Sequence, residues 1–147
     1  MLQRIQTVYM LISAILLGML FTFPFVEIVH DKQLFLFDIR GIVQNNTVVE
    51  NGIALAAFIS IILILHVVAL FNYKKRILQV RLLVFSILLM IGLFGMFYFF
   101  TYYTFDDANF SFKLPVVFPL VAIILDYLAI RNIGKDEALI RSIDRIR

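Results

Sequence analysis

The chain has 147 residues, 63% of them hydrophobic, and a mean hydropathy of +0.99, well above the near-even balance of a soluble domain, so lipid is its expected solvent. It has no cysteine, which excludes disulfides, thiolate zinc sites, iron–sulfur ligation and thiol catalysis. The net charge of +3 is divided among separate segments and forms no single basic patch, so nucleic acid is not an expected partner.

Four apolar stretches organise the chain, at residues 8–26, 53–71, 82–100 and 114–130. At ~1.5 Å per residue each is about long enough to cross a hydrocarbon core ~30 Å thick. Backbone polar groups in lipid must pair within their own segment, so each stretch is expected to be a helix. The first is read as a retained span and not as a secretory leader, because no small-x-small cleavage site follows it. Between spans one and two, residues 33–39 have strand-like content, followed by Gly41 and Asn45-Asn46. A small extracytoplasmic loop or β-hairpin is expected there, over the outer ends of the helices. Asn45-Asn46-Thr47 matches a glycosylation tripeptide, a pattern common by chance, and His30 reads as a solvated loop residue. The aromatic residues of 101–113 suit the headgroup region. All three prolines fall at the outer end, Pro24 closing span one and Pro115 and Pro119 opening span four. Ala14 and Gly18, Ala56 and Ser60, and Gly92 and Gly95 are candidates for close helix contact.

Charge sets the expected orientation. Arg4 in the first tail, Lys74, Lys75, Arg76 and Arg81 in the second loop, and Arg131, Lys135, Arg141, Arg145 and Arg147 in the last tail make up ten of the 13 basic residues. The positive-inside rule places these three pieces in the cytoplasm and the acidic first and third loops outside. The expected fold is an all-α integral membrane protein, an up-down-up-down four-transmembrane-helix bundle forming one domain. A short amphipathic cytoplasmic helix over 135–147 follows it, set off by Gly134, with Glu137 and Arg141 at i, i+4 spacing.

Asp126 is the one formal charge well inside a span, where a carboxylate costs ~2.5–3.5 kcal/mol. His66, Ser86, Ser13 and Tyr9 lie at similar depth on the other three spans. Asp126, His66, Ser86 and Tyr9 are therefore candidates for an intramembrane polar layer, in which Asp126 would pair with His66 as a proton or ion relay. The plainer alternatives are a protonated, hydrogen-bonded Asp126, one reached by Arg4 or Arg131, or one that pins helix register.

The segments 1–9, 74–81 and 131–147 together resemble a bacterial membrane family, the domain of unknown function 4293 family, across the whole chain. That resemblance implies a four-helix membrane architecture and supplies no catalytic residues. An enzyme is not expected: the sequence offers no metal-ligand cluster, no paired nucleophile and base, and no phosphate-cradling glycine loop, so catalytic residues, cofactors and metal are assigned to none. The expected role is a small accessory or scaffolding subunit of the bacterial cytoplasmic membrane, with both termini inside. Its candidate contacts are Arg4, Lys74, Lys75, Arg76, Arg81, Arg141, Arg145 and Arg147, meeting anionic inner-leaflet headgroups, another membrane protein or a second copy. The alternative is a small oligomeric transporter or channel using Asp126 and His66.

Overall fold

In a computed structural model, residues 2–30, 33–45, 47–73, 75–102 and 108–144 are described, with side chains described within 5–138. Four helices form: α1 (Leu2–Met19), α2 (Ile53–Phe71), α3 (Arg76–Tyr102) and α4 (Phe118–Asp144). Helix α1 packs on α4 and α2, and α3 packs on α2 and α4. Helices α2, α3 and the segment Leu114–Ala138 are long and apolar enough to cross a membrane, and α1 is a shorter apolar helix over its described side chains, Ile5–Met19. Their outward faces carry Ile64, Phe71, Leu88, Ile91, Ile124 and Tyr127 exposed, as suits lipid-facing surfaces. This is a membrane protein.

The inward faces alternate four- and three-residue steps. On α2 the buried residues are Leu55, Ile59, Ile62, His66 and Ala69; on α3 they run Gln79, Leu83, Ser86, Met90, Leu93 and Phe97, with a second four-residue step to Thr101 at the end. Helix α1 contributes Gln6, Met10, Ser13 and Leu17, and α4 contributes Ala122, Asp126, Ala129 and Ile133. A 3.5-residue repeat of this kind keeps one seam of each helix facing the common interior. Gly18 and Gly92 lie at helix contacts, their missing side chains facing Leu63 and Phe58 of α2, while Gly95 faces nothing within 4 Å.

The expectation of an all-α fold is overturned by a five-stranded antiparallel sheet, β1 (Val26–His30), β2 (Gln33–Asp38), β3 (Gly41–Gln44), β4 (Thr47–Asn51) and β5 (Asn109–Phe112), in the order β4-β3-β2-β1-β5. The simple helical bundle is therefore the wrong class, and the outer piece is far more than one hairpin. Strand β5 comes from the third loop, some eighty residues beyond its partner β1. An isolated hairpin is marginal in water; five strands with one apolar face laid on helix ends are not. Val26, Ile28, Phe35, Phe37 and Ile42 point inward and join the same apolar cluster as Leu17, Leu55, Ile59, Leu93 and Phe97. Phe25, Phe37, Phe97 and Phe100 lock sheet to α3, with Phe37 stacked on Phe100 at 5.4 Å between ring centroids. A two-residue turn joins β2 to β3, where the Arg40 amide donates to Asp38 Oδ1 at 2.7 Å. Asn45, at φ 47°, opens the tight turn into β4, and Asn46 of the glycosylation tripeptide lies outside the described residues.

Helix boundaries moved with the sheet. The expected span 8–26 is helical only to Met19; Leu20, Phe21 and Thr22 donate back three residues and close the helix, and Val26 already belongs to β1. Span two matches α2 over 53–71. Helix α3 starts at Arg76, so the expected basic loop is a tight turn, with the Lys75 amide on Asn72 O, followed by helix. Helix α4 passes through Gly134 without a break, so no separate tail helix exists over the described residues. A single glycine costs about 1 kcal/mol in a helix, which the good helix formers on both sides outweigh.

Candidate functional site: a four-helix polar layer

Each helix places one polar side chain at the same depth of its seam: Ser13, His66, Ser86 and Asp126, all fully buried. The layer divides the apolar interior, with Met10, Ala69, Leu83, Ala129 and Ile133 on one side and the larger cluster on the other. His66 is its centre. Its Nε2 lies 2.9 Å from Asp126 Oδ2 and 3.1 Å from Ser13 Oγ, and its Nδ1 lies 3.0 Å from the Ile62 carbonyl and 3.1 Å from Ser86 Oγ. Ser13 also donates to the Ala122 carbonyl at 3.4 Å.

These partners fix the protons. The Ile62 carbonyl can only accept, so Nδ1 carries hydrogen. A proton must then also lie between Nε2 and Oδ2, since two lone pairs at 2.9 Å would repel. Whether that proton belongs to imidazolium or to carboxylic acid, the pair is neutral overall, which is the form hydrocarbon tolerates best. Among the described residues, Asp126 Oδ1 is enclosed without a hydrogen-bond partner.

Ser86, His66 and Asp126 thus stand in a row that superficially matches a nucleophile–base–carboxylate relay. With Nδ1 already donating to Ile62, the imidazole has no lone pair on that side to take the Ser86 proton. The arrangement clamps four helices at one register.

The expected pairing of Asp126 with His66 is present, and Ser86 joins it. Tyr9 does not: it is half-buried a turn away, against the cluster around Met10, and Ser13 supplies the α1 member instead. Arg131 is exposed and does not reach Asp126. Of the candidate contact residues, Lys75 and Arg81 are exposed and Arg76 is half-buried. Lys74, Arg145 and Arg147 lie outside the described residues, as do the side chains of Arg4 and Arg141. Sequence reasoning missed a second polar tier beyond Met10. Gln79 Nε2 donates to the Ala69 carbonyl at 3.2 Å and contacts Met10 Sδ, Gln6 Nε2 donates to Asp136 at 2.7 Å, and Arg76 lies 3.9 Å from Glu137. The signal was available, because Gln6, Ser13, Gln79 and Ser86 all fall on the seam repeat.

A family model described as a domain of unknown function, DUF4293, matches residues 2–146. The chain belongs to that family. Comparisons with curated proteins and with solved structures return no match. In this DUF4293 protein the three segments of sequence resemblance converge at one end: Gln6 of α1 meets Asp136, and Arg76 at the start of α3 lies beside Glu137.

Proposed function

We propose that the protein is a small accessory or scaffolding subunit of the bacterial cytoplasmic membrane, which engages a larger membrane protein or a second copy through a basic cytoplasmic rim. The distribution of charge carries this reading. The ionisable groups within the helical interior, His66 and Asp126, are fully enclosed and paired with each other, while Lys75, Arg81, Arg131 and Lys135 stand exposed at one end. Chemistry gathered on one end face is what a docking subunit needs. Purification from native membranes in mild detergent is expected to yield a stoichiometric companion, lost on reversing Lys75, Arg131 and Lys135 to Glu and kept on Val49→Ser in the sheet. A protein that purifies alone, or a companion indifferent to the reversal, would overturn the reading.

The same charge supports an orientation with the basic end in the cytoplasm and the sheet outside, both chain ends being inside. Lack of native cysteine makes this simple to check. In spheroplasts, Val49→Cys reacts with a membrane-impermeant maleimide, and Lys75→Cys reacts only after lysis. The reverse pattern would refute the orientation. A second reading, a small oligomeric transporter or channel, is favoured by the enclosed Asp126 Oδ1, one acceptor position not taken up within the layer.

A further inference from the structure

Where α3 begins and α4 extends past Arg131, the two helices leave a groove of about 300 Å³, the low end of the range for small-ligand sites. Its floor is apolar, made by Ile77 and Val80 of α3 and by Ile133 and Gly134 of α4. Two cations, Arg76 and Arg81, stand on its rim with a single carboxylate, Glu137. The guanidinium of Arg76 is underused: among the described residues Nη1 is enclosed with no hydrogen-bond partner, and Glu137 is 3.9 Å away. Gly134 is open on its groove side, and a Cβ built there meets nothing within 4 Å.

We propose that this groove binds one phospholipid with an anionic headgroup, its phosphate held by Arg76 and Arg81 and the start of an acyl chain laid on Ile77, Val80, Ile133 and Gly134. Three observations select that occupant. The groove opens at the boundary of two membrane-crossing segments, where phosphate and the first methylenes of a lipid lie next to each other. The rim carries two positive charges and one negative, which suits an anionic headgroup better than a zwitterionic one. Arginine presents its donors as a planar fork matched to phosphate oxygens, and Arg76 has one such donor unmet. A glycine in mid-helix is a poor choice for stability, and here its missing side chain leaves the space an acyl chain would fill. The inference needs the membrane setting alone. Its failure would leave the accessory-subunit reading untouched, because that reading rests on the exposed rim and on a protein partner.

The test is native mass spectrometry of the full-length protein released from nanodiscs of defined lipid. The wild type is expected to retain one phosphatidylglycerol per chain in preference to phosphatidylethanolamine or phosphatidylcholine. Arg76→Gln with Arg81→Gln should weaken retention on the order of 10- to 30-fold, as removing two cations at a lipid surface implies. Gly134→Phe should abolish retention by filling the groove, with a thermal unfolding midpoint no lower than that of the wild type. Equal retention of the three lipids, a preference for phosphatidylethanolamine, or undiminished phosphatidylglycerol in either variant would overturn the proposal. So would matching stabilisation by inorganic phosphate alone, which would mean that the floor contributes nothing.

Discussion

His66→Leu is expected to destabilise this protein by about 3–5 kcal/mol, and more than Asp126→Leu does, although the aspartate carries the formal charge. The asymmetry follows from the partners that each variant leaves behind. Among the described residues, Oδ1 of Asp126 has no hydrogen-bond partner and Oδ2 has only His66 Nε2. Removing the imidazole strands the whole carboxyl group in an apolar interior. Removing the carboxyl instead leaves His66 with Ser13 on one nitrogen and Ile62 and Ser86 on the other. A neutral imidazole with Nδ1–H can accept from Ser13 there, so Asp126→Leu costs about 1–2 kcal/mol, close to what one interhelical hydrogen bond contributes in a membrane protein. The double variant, apolar throughout the pair, is expected to be more stable than His66→Leu alone, with a coupling of about 1–3 kcal/mol. Reversible unfolding in mixed detergent micelles measures all four corners of the cycle. Simple additivity, or a larger loss at Asp126 than at His66, would remove the layer from its assigned place as a register clamp. The same double variant separates the functional readings. An accessory subunit keeps its companion when the clamp is apolar, and a transporter whose pathway runs through Asp126 loses its cellular role with assembly intact.

Gly41→Ala is expected to be the most damaging substitution in the sheet, at about 3 kcal/mol or more. Gly41 sits at φ 108°, a conformation that side-chain-bearing residues rarely adopt. A Cβ there would collide with the Glu50 carbonyl oxygen and lie 2.5 Å from the Gly52 amide nitrogen, both backbone atoms that have nowhere to go. The position is a joint. Gly52 donates to the Arg40 carbonyl at 2.7 Å and caps the start of α2, so sheet and helix are pinned at this crossing of two glycines. Breaking it loosens the meander that holds Phe37 and Ile42 over the helix ends. Limited proteolysis in detergent should then cut the variant between Arg40 and Asn51, where the parent resists. Gly95→Ala is the control: no described atom lies within 4 Å of its Cβ position, and it should be at least as stable as the parent, because alanine is the better helix former. Wild-type unfolding of Gly41→Ala would show that the joint is softer than its geometry implies.

The polar layer was partly legible because ionisable groups inside apolar runs stand out against their neighbours. Asp126 and His66 could be matched by depth, as could Ser86. Choosing Tyr9 over Ser13 was an error of face, not depth: Ser13 lies on the 3.5-residue seam through Gln6, Met10 and Leu17, and Tyr9 lies beside it. In a soluble helix the apolar stripe reveals the seam. Here the lipid-facing side is equally apolar, so only polar and small residues mark it.

By itself the sequence determined that this chain lives in a membrane, which apolar stretches cross and whose basic segments gather at one end, because hydropathy and charge are summed locally along the chain. It determined α2 to the residue, a helix bounded by Gly52 and Asn72 with nothing else competing for its backbone. Only the tertiary structure decided the rest. Residues 20–26 are mostly apolar, yet they turn and enter a sheet, because Val26 and Ile28 find partners at Phe37, Phe35, Phe112 and Phe110. Strand β5 exists only where folding brings residue 109 beside residue 29, and a backbone takes the strand form when a second strand arrives to satisfy its amides. Local composition carries no information about that arrival, and so the sheet had to be found in space.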